Sequence, residues 1–561
     1  MWKKRTFQLL VLAGLLLAGC GPCTPSTPAP VTLPPTGGSP GTITPPSVAE
    51  PAWWNSAVFY EIFVRSFYDG GGDGIGDLAG LIEKLDYLND GDPETTTDLG
   101  ITGIWLMPVM EARSYHGYDV IDYYTVESDY GDNVLFQRFV AEAHARDIRV
   151  IVDLVLNHTS TENPWFIDSS SGPDASDRDW YVWSDSDPGY SGPWGEQVWY
   201  PSDGYYYYAT FWDGMPDLNY RDPAVTAEMY DVAQFWLEEM GVDGFRLDAV
   251  QYLIEDGQQQ VGTPETHAWL ADFYRFCTDT SPDALTVGEV WANTPVVVPY
   301  VAGDEMTLAF EFDLAGAIVA GVESGDPAWF AYVLQEVEGD YPQQRYAPFL
   351  TNHDQDRVMS QLGQDGEKAR LAATVLLTLP GVPFIYYGEE IGMTGQKPDE
   401  QIRTPMQWDS GENAGFTTGL PWEALNGDYQ TTNVATESGD QSSLLNRYRQ
   451  LIQLRNQHVA LQLGDFLPLD GSCDSVYGFL RYHAEESALV LLNFADQEQS
   501  NCSFSLPRST LPPGDYAPTE LLSGAAVSPF TVDGDGGFGD YVPVETLASQ
   551  EGYILLLEPA R

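Results

Sequence analysis

The stretch GVDGFRLDAVQYL, residues 241–253, decides the fold. It opens as a strand-like apolar run from Val242 to Leu247, is interrupted by Arg246 and stops at Asp248. Side chains two apart on a strand share a side, so Arg246 and Asp248 point the same way. Arginine and aspartate are rarely buried without partners, so a buried strand that ends on both needs a reason. Seven other runs share its character: AVFYEIFV (57–64), ITGIWLMPV (101–109), IRVIVDLVL (148–156), ALTVGEV (284–290), MTLAFEF (306–312), YAPFLTN (346–352) and VPFIYYG (382–388). Between them lie amphipathic stretches such as LAGLIEKLDYLN (78–89) and VLFQRFVAEAHARD (134–147). Eight strand–helix alternations predict an α/β fold, a parallel (β/α)8 TIM barrel over 51–158 and 221–461.

One connection is too long for a loop. Residues 159–220, rich in Trp, Tyr, Asp, Ser and Gly, are predicted to form an excursion domain after the third strand. After the helical pattern SSLLNRYRQLIQLRNQ (442–457), residues 462–561 read as short strands and turns, a C-terminal all-β domain. Cys473 and Cys502 flank a β-patterned segment there and are candidates for a disulfide, while Cys277 sits in a helical pattern as a buried thiol.

Composition narrows the partners. The formal net charge of −58 over 561 residues excludes nucleic acid, whose phosphates would be repelled. The N-terminus reads MWKKRTFQLLVLAGLLLAGC, a basic start and an apolar run too short for a membrane span, in the pattern of an export signal. LAGC, ending at Cys20, resembles a bacterial lipobox, in which the cysteine becomes the lipidated first residue. The alternative is a plain signal peptide with an incidental cysteine. Residues 21–50 are Pro/Thr-rich and read as a linker. The expected location is extracytoplasmic, with membrane contact only through a lipid on Cys20.

In a barrel of this kind the site lies at the C-terminal ends of the strands. Asp248 ends the fourth strand run, Glu289 the fifth, and Asp354 follows the seventh. One such acid reads as a cap or an ion pair. Three of them, converging with His158, Arg246 and His353, read as chemistry. Two carboxylates about 5–5.5 Å apart serve a retaining glycosidase as nucleophile and acid/base. Arg246 would keep Asp248 ionised, while burial and nearby negative charge would keep Glu289 protonated.

The segments DLVLNH (153–158), GFRLDAV (244–250), GEVW (288–291) and FLTNHD (349–354) resemble, in order, the four signature regions of the α-amylase family, glycoside hydrolase family 13. The resemblance spans roughly residues 53–460 and implies Asp248 as nucleophile, Glu289 as acid/base and Asp354 as transition-state stabiliser. It places Tyr118, His158, Arg246 and His353 around the sugar being cleaved, with Asp153 supporting them from behind. DGGGDGIGD (69–77) is similar to the family's calcium loop, with carboxylates from Asp69, Asp73 and Asp77 and a backbone oxygen from Ile75. Gly71 stands where relatives carry Asn or Asp, and a Gly-rich turn with solvated acids is the alternative.

MPDLN (215–219) resembles the fifth region of the α-amylase subgroup intermediate between oligo-1,6-glucosidases and neopullulanases. IRTPMQWD (402–409) is instead similar to α-glucosidases and trehalose synthases, in which an acid at the position of Asp119 pairs with an arginine like Arg403 and closes the pocket. Gln251 and Tyr252 replace the Lys-His of many endo-amylases and belong to the acceptor side. The expected substrate is an α-1,4-glucan or maltooligosaccharide. The alternatives are an exo-acting α-glucosidase or oligo-1,6-glucosidase, a trehalose-synthase-like enzyme and, remotely, a non-catalytic glucan-binding lipoprotein.

Overall fold

The computed structural model describes residues 51–559. The export signal, Cys20 and the 21–50 linker lie outside the described residues. Eight parallel strands form one sheet: β1 (Phe59–Ile62), β2 (Gly103–Leu106), β3 (Arg149–Val155), β4 (Gly244–Asp248), β5 (Leu285–Gly288), β6 (Leu308–Phe310), β7 (Tyr346–Ala347) and β8 (Phe384–Tyr386). Each falls within one of the eight predicted runs. Hydrogen bonds from Val382 N to Tyr346 O at 3.0 Å and from Phe384 N to Pro348 O at 2.9 Å bring the sheet edges together. The result is a nearly closed (β/α)8 barrel.

Parallel strands covered on both faces are apolar almost throughout. In β3 only Arg149 is exposed. The inward-facing residues fall into two layers. Toward the strand starts, Phe59, Ile151, Leu285, Leu308 and Phe384 fill the barrel, with Phe59 stacked on Phe384 at 4.5 Å. Toward the strand ends, the register sets Glu61 beside Trp105 and Asp153 beside Arg246. Apolar filling below therefore carries a charged layer above. Gly244 lets β4 approach β5, because a Cβ there would collide with the backbone of Leu285.

The excursion after β3 holds the helix Pro164–Ser170 and a small antiparallel sheet of Trp183–Ser184, Tyr205–Tyr208 and Trp199–Ser202. An isolated bridge His158–Asp217 ties it to the barrel, and another, Tyr181–Leu218, closes it on itself. From Asp465 onward the chain is antiparallel β structure, led by a five-stranded sheet. Alternation on its strand Ser487–Asn493 turns Val490 and Leu492 toward the barrel core and Leu489 and Leu491 toward the second domain's own core. At the junction, buried Arg455 donates to the carbonyls of Leu377, Leu379 and Gly381, and buried Arg481 donates to that of Thr378. These guanidiniums meet the unpaired carbonyls at the end of the helix Gly366–Thr378, where positive charge is favoured. Cys473 and Cys502 are joined as a disulfide, and Cys277 is a buried free thiol. Among the described residues no helix is long and apolar enough to cross a membrane.

Candidate active site

Arg246 organises the charged layer. It is 1% exposed. Its Nη1 donates to Asp153 Oδ1 at 2.8 Å and to Asp248 Oδ1 at 2.6 Å, and its Nη2 donates to Glu289 Oε2 at 2.7 Å. The guanidinium carbon stands 5.3 Å from the centre of the Trp105 ring, which floors it. One cation thus holds carboxylates from the ends of β4 and β5 and the middle of β3. A guanidinium suits this, since its planar fork reaches several oxygens at once.

After Asp248 the chain turns sharply. Ala249 adopts the left-handed conformation, φ 49° and ψ 33°, which costs a non-glycine residue energy. The turn aims the Ala249 N–H at Glu289 Oε2, 3.1 Å away. Burial pushes the Glu289 carboxyl up to about 7; Arg246 opposes the shift, while Asp248 and Asp354 add to it. Burial likewise raises Asp153 to about 6 against the pull of Arg246.

A second cluster faces the first. His353 is fully buried, with Nδ1 2.5 Å from Glu61 Oε1 and Nε2 3.1 Å from Asp354 Oδ2. Burial alone would lower its pKa, but the charges of Asp354 and Glu61 prevail and raise it to about 9. His353 is therefore an imidazolium at neutral pH. Burial would raise Asp354, but His353, Arg403 and Lys397 together hold it well below the usual carboxylate range. Tyr118 joins the clusters: its hydroxyl donates to Asp153 Oδ2 at 2.9 Å, lies 2.7 Å from His353 Nε2, and its ring stacks on the imidazole. His158, whose pKa burial lowers, sits with Nε2 3.1 Å from the Tyr118 carbonyl.

The pairing of Asp119 with Arg403 anticipated from the sequence is absent. Arg403 Nη2 donates to Asp354 Oδ1 at 2.9 Å and Asp399 Oδ2 at 3.3 Å, and its Nε donates to the His353 carbonyl. Asp399 lies four residues before Arg403 on one helical turn, close enough to capture the guanidinium locally. Asp119 instead accepts from the Ser114 hydroxyl at 2.6 Å and the Ser114 N–H at 3.1 Å. Its Oδ2 is buried without a protein donor. Tyr252 lies on a short turn after Asp248, with its hydroxyl accepting from Gln251 Nε2 at 2.8 Å.

Glu61 escaped the sequence reading, although a carboxylate inside the apolar run 57–64 was a visible signal. Asp399 and Lys397 also escaped it. Both come near Asp354 through a loop that no strand pattern announces.

The loop 69–77 offers hard oxygen donors, as calcium requires. A Cβ on Gly71 would lie 3.2 Å from Asp77 Oδ2 and 3.6 Å from Asp69 Oδ1, so these two carboxylates converge there. Backbone N–H groups already engage them: Gly72 and Gly74 donate to Asp69, Gly71 and Gly80 to Asp77, and Ile75 to Asp73. Among the described residues no group of three or more His, Cys, Asp or Glu converges in metal-binding fashion. The donors fit calcium in kind and fall short in number of its usual six to eight or so oxygens.

A (β/α)8 barrel with a carboxylate trio and an arginine at its strand ends carries the groups that a barrel glycosidase uses. Residues 61–464 match the family described as alpha amylase, catalytic domain, and the chain belongs to that family. It is 38% identical over 448 residues to "Alpha-amylase 3" of Dictyoglomus thermophilum, covering 79% of this chain and 85% of that one. It is 33% identical to an oligo-1,6-glucosidase of Parageobacillus thermoglucosidasius, over 86% of this chain and 96% of that one. The crystal structure of an α-amylase from H. orenii superposes with a TM-score of 0.78 at 40% identity, covering 90% of this chain and 99% of that one. The protein is a retaining glycoside hydrolase of this family.

Proposed function

We propose that the protein hydrolyses α-1,4-glucosidic bonds in starch-like glucans and maltooligosaccharides, as an α-amylase does. The observation that carries this reading is the engagement of Arg403 by Asp354 and Asp399, which leaves no bridge to Asp119 across the cleft. Without that bridge a glucan chain passes beyond the cleaved sugar.

Asp248 is the nucleophile: its carboxylate, steadied by Arg246, attacks the anomeric carbon and forms the glycosyl-enzyme bond. Glu289, its carboxyl raised to about 7, gives its proton to the departing glycosidic oxygen. It then takes a proton from the water that attacks the anomeric carbon and frees Asp248. Asp354, held in place by the His353 imidazolium, binds hydroxyls of the cleaved sugar, and its negative charge favours the positive charge that develops in the transition state. Tyr118, stacked on the His353 ring, and His158 line the same pocket.

A second reading has its own support. Asp119 keeps one oxygen buried and unpartnered, and Arg403 lies close by the site, so both could grip a non-reducing end as an exo-acting α-glucosidase requires. Digestion of amylose and of maltotriose separates the two. Mixed oligosaccharides from amylose with early loss of iodine colour support the α-amylase; glucose released singly, fastest from maltotriose, supports the exo enzyme.

Two further assignments belong to this proposal. Calcium is a structural ion at Asp69, Asp73, Ile75 and Asp77, supported by the oxygen chemistry of that loop. The enzyme is extracytoplasmic and tethered through Cys20, supported by the LAGC sequence; radiolabelled fatty acid incorporated into the wild type but not into Cys20→Ser tests it.

A further inference from the structure

An aromatic ladder leads out of the site. The His158 ring lies 5.2 Å from Phe211, Phe211 lies 5.7 Å from Tyr252, and Tyr252 lies 5.3 Å from Trp194, measured between ring centroids. Trp194 also stands 5.8 Å from Phe211. Tyr252 is 8% exposed, whereas Trp194 is 56% exposed. The ladder thus begins at a residue beside the cleaved sugar and ends on a tryptophan with much of its surface in water. It crosses from barrel to excursion domain, since Phe211 and Trp194 belong to the latter.

Trp194 is not on a loose loop. Residues 191–197 close a small hairpin with a bridge between Ser191 and Gln197. Gly192 N donates to Glu196 O at 2.8 Å and Gly195 N to Gly192 O at 3.0 Å. Gly195 takes φ 89°, a left-handed turn that glycine adopts freely, right after Trp194. A Cβ on Gly192 would meet the side chains of Glu196 and Val198, so the hairpin packs closely at that point. Gln260, on the chain after β4, anchors the hairpin by donating from Nε2 to Ser191 O at 3.0 Å. The hairpin and its anchor also carry acceptors without partners: both carboxylate oxygens of Glu196 and Gln260 Oε1 are buried and unbonded.

A pyranose ring has an apolar C–H face edged by hydroxyl groups. A flat aromatic surface suits the first and hydrogen-bond acceptors suit the second. We infer that Trp194 is the outer sugar-stacking platform of the acceptor side, where it takes a glucosyl unit on the leaving side of an α-glucan chain. It sets preference for longer chains, with Tyr252 and Phe211 as the inner rungs. Because the hairpin is held by its own hydrogen bonds, the platform is already in place before the chain arrives, which limits the ordering cost of binding. This inference rests on the α-glucan reading above.

The test compares kcat/KM for maltoheptaose and for α-glucosyl fluoride in the wild type, Trp194→Ala and Trp194→Phe. Fluoride as leaving group occupies no acceptor position, so that substrate reports on the cleaved sugar and the acids alone. The expected result is a fall of about tenfold in the maltoheptaose-to-fluoride ratio for Trp194→Ala, carried mainly by KM, and substantial recovery in Trp194→Phe. An unchanged ratio overturns the inference, as does a parallel loss on both substrates, which marks a merely structural role. A wild type that leaves maltoheptaose intact overturns the α-glucan reading itself, a distinct failure.

Discussion

Arg246 Nη2 lies 2.7 Å from Glu289 Oε2, while Nη1 of the same guanidinium holds Asp248 at 2.6 Å. The proposed acid and the proposed nucleophile therefore share one cation. Glu289 is raised to about 7 in spite of Arg246, because burial and the neighbouring acids outweigh the attraction. Arg246 and the Ala249 N–H both engage Oε2 of Glu289, which leaves Oε1 to carry the proton to the glycosidic oxygen.

Replacing the shared cation should be costly in two ways. Arg246→Lys keeps a charge but cannot span Asp153, Asp248 and Glu289 together, and kcat should fall on the order of 10²-fold. Arg246→Met leaves buried acids unpaired and should lose about 3 kcal/mol or more of stability. Steady-state kinetics on maltooligosaccharides and denaturant unfolding measure both. Wild-type values in Arg246→Lys would remove Arg246 from the centre of the site.

Asp248→Asn removes the nucleophile while keeping its shape. Turnover should drop on the order of 10⁴-fold or more. Binding of maltooligosaccharide, followed by calorimetry, should persist within about tenfold. Loss of binding together with turnover would point to a collapsed site.

The pH profile has a defined sign. Glu289 acts while protonated, and its raised carboxyl titrates near 7. kcat/KM should therefore decline on the alkaline side with an apparent pKa close to that value, reported by the coupled cluster as a whole. Glu289→Gln should abolish this limb in the residual activity. An alkaline limb that survives in Glu289→Gln would assign it to another group.

The His353 pair makes a stability prediction. Its folded pKa of about 9 stands above the roughly 6.5 of a free histidine, so the pair's contribution is complete below the lower value and lost as pH rises through the upper one. Glu61→Gln should destabilise the protein by about 3 kcal/mol at neutral pH. The gap from wild type should narrow above about pH 9. Thermal unfolding at several pH values decides the point, and a gap independent of pH would mean that His353 is neutral.

Calcium at the 69–77 loop should appear as a rise of several degrees or so in Tm on adding the ion to chelator-treated protein. The rise should vanish in Asp69→Asn. Superimposable curves with and without calcium would remove the ion from this loop.

The sequence by itself determined the strands and what they carry. Eight apolar runs at regular spacing specify a barrel because each must be buried on both faces, and a period of two places Arg246 and Asp248 on one side. Acids at the strand ends were legible for the same reason. Tertiary structure alone decided which charges meet. Glu61 reaches His353 across 292 positions, Arg403 chooses Asp354 and Asp399 over Asp119, and Cys473 joins Cys502. Trp194 comes to rest over Tyr252 only because a hairpin of the excursion domain is anchored by Gln260. Periodicity fixes the side to which a residue points. A hydrogen bond or a ring contact depends on separations of a few tenths of an ångström between distant segments, and only the packed fold supplies them.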